Sequence, residues 1–367
     1  MQAVILVGGQ GTRLRPLTST VPKPVVRLVD RPMISFMLEW LRAHGVEDVI
    51  MSCGFLADGM RGVLGDGSQL GIRLRFVEEP DPRGTAGALK LAEPMLDERF
   101  LMLNGDVLTD IDLTAQIAQH EATGARATLG LVPVPDPSAY GLVILREDRS
   151  VSEFVEKPSS SDRVQSNLIS AGAYVLERDI LDLVPPDRNV SIEREVWPLL
   201  VDNGLYGSPS ESYWLDVGTP ARYLQATFDI IEGNVRTAVC ERLGSSWLAI
   251  DERASAHGRV IPPAVLERGV HVAEGAHVGS LAVLAEDVSV AADATVERAV
   301  VLAGTQIGER CELRDCIVAA GCRIGAGTKV TGGAVLGEGV SVGSHNVITR
   351  GARIFPGVQL PDGAIEF

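Results

Sequence analysis

The 367-residue sequence is short of basic residues, and this shortage limits the kinds of partner that the protein can have. Lysine and arginine together number 33 against 48 aspartates and glutamates, so the formal net charge is -15 at pH 7. A chain this acidic is not expected to bind nucleic acid or an anionic membrane surface. If it handles phosphates, it must concentrate cations locally.

Long apolar runs and organised cysteines are also missing. No apolar run approaches the roughly 20 residues that a membrane-spanning helix needs. The N-terminus leads directly into an apolar strand, without a basic segment or a cleavage site, so we expect a cytoplasmic protein. The five cysteines are odd in number and lack the paired C-x2-C spacing of a zinc site. We therefore expect them to be small buried hydrophobic side chains.

A glycine-rich segment follows the first apolar run. Residues 3–7 (AVILV) predict a buried parallel strand, and residues 8–24 (GGQGTRLRPLTSTVPKP) follow it. Glycines after such a strand let the backbone approach a ligand and point N–H groups at phosphate oxygens. Arg13 and Lys23 add positive charge nearby, and the prolines on either side of Lys23 restrict its backbone. The segment predicts a nucleoside triphosphate site.

Two commoner phosphate-binding loops do not fit this segment. A Walker loop ends in Gly-Lys-Ser/Thr, whereas this chain has Gly11-Thr12-Arg13. A dinucleotide fingerprint needs a glycine three residues after Gly11, where Leu14 stands. The string LVGGQGTRLRPLT instead resembles the signature of the sugar-1-phosphate nucleotidyltransferase family, and most of all its mannose-1-phosphate guanylyltransferase branch.

The chain divides into segments of different pattern. Residues 1–232 alternate short apolar strands with amphipathic helices, which predicts an α/β catalytic domain with a Rossmann-like, mostly parallel sheet. Residues 233–269 are predicted to be a linker region. Over residues 270–367 an aliphatic residue recurs at every sixth position, as at Val272 and Val278, apart from two five-residue steps near Ile307 and Leu313. Such hexapeptide repeats predict a parallel β-helix, in which each coil is buried by its neighbours.

The resemblance adds expectations about this C-terminal domain. Similar hexads in related proteins form a left-handed prism with about three hexads per coil, which implies roughly five coils here. The flat faces and edges of the coils invite pairing, so we expect a homo-oligomer formed through the β-helix. Some hexad-repeat proteins are acyltransferases with a catalytic histidine, but no acyl-donor motif accompanies His345, and we expect this residue to lie at the surface.

Two aspartates stand where the resemblance implies a metal site. Joining a sugar phosphate to a nucleoside monophosphate brings two anions together, and magnesium held by one or two carboxylates is the usual device. Asp106 follows the apolar strand at residues 100–103, and Asp216 precedes the predicted helix at residues 219–231. Aspartates at these motif positions hold the metal in the family, so Mg²⁺ is the expected cofactor. The alternative roles are a turn residue for Asp106 and a helix cap for Asp216.

The resemblance further implies the residues of the two substrate sites. Arg13, Lys23 and Lys157 are expected to act on the phosphates as catalytic residues, with Arg13 neutralising the triphosphate and Lys157 contacting the sugar phosphate. The expected nucleotide-binding residues are Leu6, Gly8, Gly9, Gly11, Thr12, Gly84, Thr85 and Asn104. The expected sugar-phosphate-binding residues are Gly141, Glu156, Lys157, Asn167 and Ser170.

Two further positions concern the sugar and the local structure. Mannose-specific relatives usually carry asparagine where Ser170 stands, and a serine offers fewer directed hydrogen bonds than an amide. This departure leaves another hexose or a cyclitol phosphate open. Residues 191–198 (SIEREVWP) also resemble the guanylyltransferase branch, and they predict a helix capped by Ser191 with Glu193 and Glu195 in its first turn. The alternative role is a contact between one of these glutamates and the sugar.

From these features we expect a magnesium-dependent enzyme that joins GTP and α-D-mannose 1-phosphate to give GDP-mannose and pyrophosphate. Alternatives with the same chemistry are ATP, UTP or dTTP with glucose 1-phosphate, or GTP with another sugar or cyclitol phosphate. A non-catalytic regulatory homologue that binds a nucleotide sugar is a further alternative. The intact charged residues, namely Arg13, Lys23, Asp106, Lys157 and Asp216, favour the enzyme.

Overall fold

A computed structural model describes residues 1–54, 57–158 and 166–366 of the chain. These described residues form two compact units. The first unit consists of Met1–Gln10 and Ile34–Asp216, and the second consists of Gly11–Met33 and Val217–Phe367. Within the described ranges, no helix has both the length and the apolar character needed to cross a membrane.

In the part of the chain that the structure describes, a nine-stranded sheet forms the centre of the first unit. Its strands are β1 (Gln2–Leu6), β2 (Asp48–Cys53), β3 (Arg73–Glu78), β4 (Arg99–Asn104), β5 (Ala127–Pro133), β6 (Gly141–Leu145), β7 (Val151–Glu156), β8 (Leu168–Glu177) and β9 (Leu205–Pro209). Strands β4, β1, β2 and β3 lie side by side in this order and run parallel. Strand β8 runs antiparallel to β4 and to β5, and β6 runs antiparallel to β7. The Rossmann-like α/β fold is confirmed, with an antiparallel extension beside the parallel half.

Buried aliphatic residues explain why this sheet lies inside the first unit. Ala3, Val4 and Ile5 of β1 are all fully buried, as a strand covered on both faces of a sheet requires. The helices of this unit are α1 (Met33–Ala43), α2 (Ala57–Leu64), α3 (Gly84–Ala92), α4 (Leu113–Thr123) and α5 (Trp197–Leu200). The buried side chains of Tyr174 and Trp197 belong to one core cluster that joins strands of this sheet to α3 and α5.

A short two-stranded ribbon lies outside the large sheet. Val107–Thr109 pairs antiparallel with Trp214–Asp216, and in this register Asp216 faces Val107. Leu108 and Leu215, which face each other at the middle of the ribbon, are buried. The ribbon therefore fixes the segment after β4 against the end of the first unit's sequence.

The second unit combines residues 11–33 with the C-terminal part of the chain. The elements of residues 11–33 are the 3₁₀ turns Thr12–Leu14 and Lys23–Val25 and the paired strands Arg27–Leu28 and Arg31–Pro32. Helices α6 (Pro220–Ile231) and α7 (Ala238–Leu243) follow later in the chain. Thr219 caps α6, and the buried Tyr223 of this helix donates its hydroxyl hydrogen bond to the Arg27 carbonyl. This bond joins α6 to the segment 11–33.

Residues 248–360 form a parallel β-helix, consistent with the left-handed prism expected from the hexads. Among the described residues, one face carries seven strands: Ser255–Ala256, His271–Val272, Ser289–Val290, Gln306–Ile307, Arg323–Ile324, Ser341–Val342 and Gln359–Leu360. The strands of the other two faces are Leu248–Ile250, Arg259–Val260, Ala264–Leu266, His277–Val278, Ala282–Leu284, Thr295–Val301, Glu312–Val318, Lys329–Val330, Val335–Leu336, Val347–Ile348 and Arg353–Ile354. The aliphatic residue of each hexad packs into a continuous interior, as the spacing predicts.

The β-helix starts earlier and has more coils than expected from the sequence. Seven strands on one face of the described chain indicate about seven coils, whereas roughly five were expected. The first coil begins at Leu248, inside the range 233–269, because Ala254 and Val260 continue the six-residue spacing backwards. The small side chain of Ala254 and the Pro262-Pro263 pair obscure this pattern in the sequence.

The cysteines are free thiols, and most of them are buried. Cys53, Cys311, Cys316 and Cys322 lie inside the protein, while Cys240 is partly exposed. Burial raises the pKa of the Cys322 thiol to about 11, which keeps this group neutral near pH 7. The expectation of small buried hydrophobic side chains is confirmed for these four residues.

Candidate active site

The carboxyl ends of β1 and β4 meet at one edge of the sheet. Leu6, the last residue of β1, is in register with Asn104, the last residue of β4. The Gly105 N–H donates to the Leu6 carbonyl at 3.0 Å, and a Cβ at Gly105 would lie 2.4 Å from Cγ1 of Val7. Glycine is therefore required for the turn to close against β1. The turn places Asp106 just beyond the sheet edge, where ligands bind in folds of this kind.

Glu79 reaches the same edge from the end of β3. Its Oε1 accepts a hydrogen bond from the Ser52 hydroxyl at 3.1 Å, and its Oε2 accepts one from the Arg83 N–H at 3.2 Å. A Cβ at Gly8 would lie 3.1 Å from Glu79 Oε1, so the carboxylate lies against the glycine-rich backbone. The sequence analysis assigned Glu79 no role. Its position directly after a parallel strand is the signal that points to it.

The short ribbon brings the backbone of Asp106 close to that of Asp216. Asp216 is paired with Val107, the residue that follows Asp106, and directly opposed residues of antiparallel strands have Cα atoms only ~4.5–5.5 Å apart. The Tyr140 hydroxyl donates to Oδ1 of Asp216 at 2.9 Å. The two aspartates predicted as metal ligands are thus brought together, although 110 positions separate them in the sequence.

Two aromatic residues support this pair, and the sequence analysis assigned a role to neither. The rings of Tyr140 and Trp214 pack edge to face with their centroids 5.2 Å apart. The Trp214 indole N–H donates to the Ala171 carbonyl of β8 at 2.8 Å. These contacts tie the strand that carries Asp216 to the large sheet, so they restrict where its carboxylate can lie.

An adjacent pair of carboxylates fits magnesium. Mg²⁺ is a hard cation that takes oxygen ligands, and it is usually bound by one or two carboxylates together with substrate phosphates and water. Among the described residues, no group of three or more His, Cys, Asp or Glu side chains is arranged to hold a metal ion. Asp106 and Asp216 could supply the carboxylate oxygens for such an ion, and its remaining ligands would come from phosphates and water.

The antiparallel pair β6–β7 brings the predicted sugar-phosphate residues together. Gly141 faces Glu156 in the register, and a Cβ at Gly141 would lie 3.3 Å from Oε2 of Glu156. The Lys157 N–H donates to the Tyr140 carbonyl at 3.0 Å, and its ammonium lies 3.6 Å from Oε1 of Glu156. The Lys157 side chain is 60% exposed, so its charge is accessible to a ligand. Through Tyr140 this group adjoins Asp216.

Asn167 and Ser170 lie at the beginning of β8 and both have partners inside the protein. The Asn167 carbonyl accepts a hydrogen bond from the Val134 N–H at 2.9 Å. The Ser170 hydroxyl is hydrogen-bonded with the Tyr174 hydroxyl at 2.9 Å. Tyr174 is buried, and this burial raises the pKa of its phenol. The serine therefore has a structural function that the sequence analysis did not assign to it.

Gly84 and Thr85 begin α3, and Thr85 is bonded to the segment around Ser191. Its hydroxyl donates to Oε2 of Glu193 at 2.8 Å and accepts from the Ile192 N–H at 2.8 Å. The Ser191 hydroxyl caps the turn Ile192–Val196 by accepting from the Arg194 N–H. The predicted cap is confirmed, although this turn is π-helical. The role of Gly84 and Thr85 in binding a nucleotide stays a prediction.

The second unit contains the remaining predicted residues. Gly11 adopts a φ of 61°, a backbone conformation that favours glycine, and a Cβ there would lie 3.0 Å from Cβ of Lys23. Thr12 begins the 3₁₀ turn that carries Arg13. A Cβ at Gly218 would lie 3.0 Å from Nη2 of Arg13, so this guanidinium lies against the backbone that leads into α6.

The structure thus sorts the predicted site residues into two groups. The group in the first unit consists of Leu6, Gly8, Gly9, Gly84, Thr85, Asn104, Asp106, Gly141, Glu156, Lys157, Asn167, Ser170 and Asp216. The group in the second unit consists of Gly11, Thr12, Arg13 and Lys23. His345 is exposed on the β-helix, as expected.

Two family models match the chain. Residues 2–233 match the model described as Nucleotidyl transferase, and residues 260–363 match the model described as GMPPB C-terminal domain. The first match spans the sheet and the glycine-rich segment. The second lies within the β-helix.

Full-length relatives and a solved structure are similar to the chain. A mannose-1-phosphate guanylyltransferase of Mycobacterium tuberculosis is 35% identical over 100% of this chain and 98% of its own length. A mannose-1-phosphate guanyltransferase of Candida albicans is 34% identical over 97% of this chain and 96% of its own. The crystal structure of HddC from Yersinia pseudotuberculosis complexed with GMP-PN covers 62% of this chain and 99% of its own, with a TM-score of 0.54 and 27% identity.

Proposed function

The chain belongs to the nucleotidyl transferase family, and from this we propose that it transfers GMP from GTP to α-D-mannose 1-phosphate, giving GDP-mannose and pyrophosphate. In this reaction a phosphate oxygen of the sugar phosphate attacks the α-phosphorus of GTP. The new bond joins this oxygen to the α-phosphorus and completes a P–O–P linkage. The bond from the α-phosphorus to the oxygen that leaves with pyrophosphate breaks. The observation that carries the proposal is the adjacent pair Asp106 and Asp216 at the carboxyl edge of a nucleotidyltransferase sheet.

We propose that Asp106 and Asp216 hold a magnesium ion. When bound, this ion would supply positive charge that reduces the repulsion between the two anionic substrates. The Tyr140 hydrogen bond to Oδ1 orients the Asp216 carboxylate, and such a partner of a metal ligand typically raises metal affinity 10–100-fold. The chain's own contribution is thus a pre-oriented pair of anionic oxygen ligands.

The cationic residues are proposed to neutralise and align the phosphates. Arg13 and Lys23 would act on the triphosphate and the departing pyrophosphate, and Lys157 on the sugar phosphate. Both substrates are anions, so alignment and charge neutralisation supply most of the catalysis and no protein side chain needs to accept a proton. Glu156 keeps the Lys157 ammonium near Gly141, where the sugar phosphate is proposed to bind.

The choice of guanine and mannose is supported by the relatives. Two of them, each at least 34% identical over nearly the whole chain, are named guanylyl- or guanyltransferases of mannose 1-phosphate. The HddC structure with GMP-PN, which is 27% identical, covers 62% of this chain. Leu6 and Asn104, adjacent at the carboxyl edge, are proposed to contact the base or ribose, and Gly84 and Thr85 are proposed to belong to the same nucleotide site.

The alternatives receive less support. The names of the relatives do not favour ATP, UTP or dTTP with glucose 1-phosphate, nor a purely regulatory binding protein. Asp106 and Asp216 are suited to hold a metal ion for turnover, which a protein that only binds nucleotide sugar does not need. An acyltransferase would need a binding site for the acyl donor around His345, and this residue is exposed on the β-helix.

We also propose that the chain forms a homo-oligomer through its β-helix. Trp247, Ile250 and Phe355 are large apolar side chains that are each more than 40% exposed in this region of the second unit. Exposed aromatic and aliphatic side chains on flat parallel coils are suited to contact between subunits.

A substrate matrix tests the enzymatic proposal. Each nucleoside triphosphate is combined with each sugar 1-phosphate, and pyrophosphate release is measured with and without magnesium. The proposal expects the fastest release with GTP and mannose 1-phosphate and little release without the metal. Faster release with another base or another sugar would replace the substrate pair, while binding without release would favour the regulatory alternative.

A further inference from the structure

The β-helix holds the segment that carries Arg13 in the second unit. Nη1 of Arg353 donates to the Arg13 carbonyl at 3.1 Å and to the Arg15 carbonyl at 3.1 Å. Two further side-chain contacts join the same parts of this unit. Nη1 of Arg27 donates to the Glu286 carboxylate at 2.8 Å, and the Thr20 hydroxyl donates to Glu338 at 3.0 Å.

The carbonyls around Arg13 show how this contact completes the turn at residues 11–17, which we call the signature turn. The Gly11 carbonyl accepts from the Leu14 N–H, the Thr12 carbonyl from the Arg15 N–H, and the Leu14 carbonyl from the Leu17 N–H. Arg353 binds the carbonyls of Arg13 and Arg15. Five consecutive carbonyls therefore have donors.

Arg353 binds the signature turn on both sides of the buried residue Leu14. Leu14, between the two bonded carbonyls, is fully buried. Arg353 itself begins the strand Arg353–Ile354, which pairs in parallel with Val335–Leu336 of the preceding coil. The guanidinium is thus presented by a stacked element, and one nitrogen with two hydrogens can satisfy two acceptors at once. This arrangement fixes the backbone from which the Arg13 side chain extends.

From this geometry we propose that Arg353 is a positioning residue for the reaction, acting through the signature turn on Arg13. The inference rests on the proposed function, in which Arg13 neutralises the triphosphate. Charge neutralisation depends on placement, and a displacement of ~1 Å at a reacting group can cost about a hundredfold in rate. The C-terminal domain would then contribute to turnover as well as to stability and assembly.

A double-mutant cycle in the full-length protein tests this link. Arg353→Ala is expected to lower kcat about tenfold in the wild-type background and to change it less than about twofold in the Arg13→Gln background. If the loss of kcat caused by Arg353→Ala disappears in the Arg13→Gln background, Arg353 acts through Arg13. The same fold-loss in both backgrounds would overturn the proposal.

A matched control separates this role from general damage to the β-helix. Arg323 is also exposed and also begins an Arg-Ile strand, Arg323–Ile324, in the same stack of coils. Arg323→Ala is expected to keep wild-type kcat, and an equal loss in this variant would contradict a specific role of Arg353. If Arg353→Ala does not fold, Arg353→Lys takes its place in the cycle, because lysine keeps the charge but ends one bond short of the two carbonyls.

Hydrogen exchange provides a readout that does not depend on the substrates. Amides of residues 11–17 are expected to exchange faster in Arg353→Ala than in Arg323→Ala, whereas equal exchange would overturn the inference. The kinetic cycle uses whichever substrate pair the wild type turns over. A pair other than GTP and mannose 1-phosphate would refute the proposed substrates and still decide the role of Arg353. If no pair is turned over, the proposed function fails, and the exchange comparison decides the positioning claim.

Discussion

At the scale of single residues, the account depends most on two carboxylates that only the fold brings together. Asp106 closes a turn after β4, Asp216 ends a strand of the short ribbon, and the antiparallel register makes them neighbours. Tyr140 orients one of them. The charge of each carboxylate, rather than its size, is what a magnesium ion requires.

We predict that Asp106→Asn and Asp216→Asn each lower turnover by at least roughly a hundredfold. The amide keeps the size of the side chain but removes a charged ligand, and loss of even an outer partner of a metal ligand costs 10–100-fold. Turnover is measured against magnesium concentration. Asp179→Asn, which removes an exposed carboxylate bonded to Arg126, is the control and should retain normal turnover. Near-normal rates of an Asp106 or Asp216 variant at limiting magnesium would remove that residue from the metal site.

Ser170 provides a second prediction at this scale. Ser170→Ala leaves the buried Tyr174 hydroxyl without its hydrogen-bond partner, which costs ~1–3 kcal/mol, whereas the double change with Tyr174→Phe removes both polar groups and should recover part of this loss. Thermal unfolding of the single and double variants checks this expectation. The KM for mannose 1-phosphate, measured on Ser170→Ala and Ser170→Asn, shows separately whether the residue touches the sugar. Equal stability of the single variant and the wild type would contradict the structural role.

At the scale of secondary structure, α4 is linked to the sheet by a buried histidine. The ring of His120 lies 2.8 Å from the Thr128 hydroxyl through Nδ1 and 3.0 Å from Glu177 through Nε2. Burial lowers the pKa of His120 below its ordinary value of 6.5, although Glu177 acts in the opposite direction. The folded protein therefore holds this histidine neutral over a pH range in which the unfolded chain protonates it.

We predict that this histidine makes the folded protein less stable as the pH is lowered. A lowered pKa in the folded state means that the contribution to stability is complete above pH 6.5 and is lost as the pH falls below this value toward the folded-state pKa. The wild type should thus lose more stability than His120→Gln between pH 8 and pH 5. Thermal unfolding midpoints across this range measure the difference. Parallel curves for the two proteins would show that His120 is not the group responsible.

The sequence predicted those elements whose signals are local. The strand-turn at residues 3–11, the Ser191 cap and the hexads each depend on neighbouring residues, and the structure contains all three. Two contacts join residues that lie far apart in the sequence and follow no repeating pattern. They are the hydrogen bond between Tyr140 and Asp216 and the bonds from Arg353 to the signature turn. Local pattern carries no signal for them. The first β-helix coils were missed for a different reason, since Ala254 weakens the six-residue spacing.

At the scale of the whole molecule, the two units carry different parts of the proposed chemistry. The first unit contributes the carboxylates and the sugar-phosphate residues, and the second contributes Arg13 and Lys23. Residues 11–33 belong to the same compact unit as the β-helix, so the proposed action of Arg353 on Arg13 takes place within one unit. Truncation near residue 270 would cut through the stack of coils that starts at Leu248 and expose its aliphatic interior.

We predict that the full-length chain self-associates. Size-exclusion chromatography with light scattering should give a mass at least twice the 39.1 kDa of one chain. Phe355→Asp places a charge on an apolar side chain that is 49% exposed and should weaken the assembly if this face is used. A full-length protein that stays at 39.1 kDa over a broad concentration range would refute the assembly proposal.

The most direct test of the central claim is the ratio of kcat/KM for GTP to that for ATP, with mannose 1-phosphate as acceptor and GDP-mannose identified by mass. A guanine pocket that leaves a polar group of the wrong base unpaired costs ~1–3 kcal/mol, which corresponds to roughly ten- to hundredfold discrimination. The account predicts a ratio of this size in favour of GTP. It also predicts that Asp216→Asn loses turnover, and with it the preference for GTP. A ratio at or below one, or faster product formation with glucose 1-phosphate, would contradict the account.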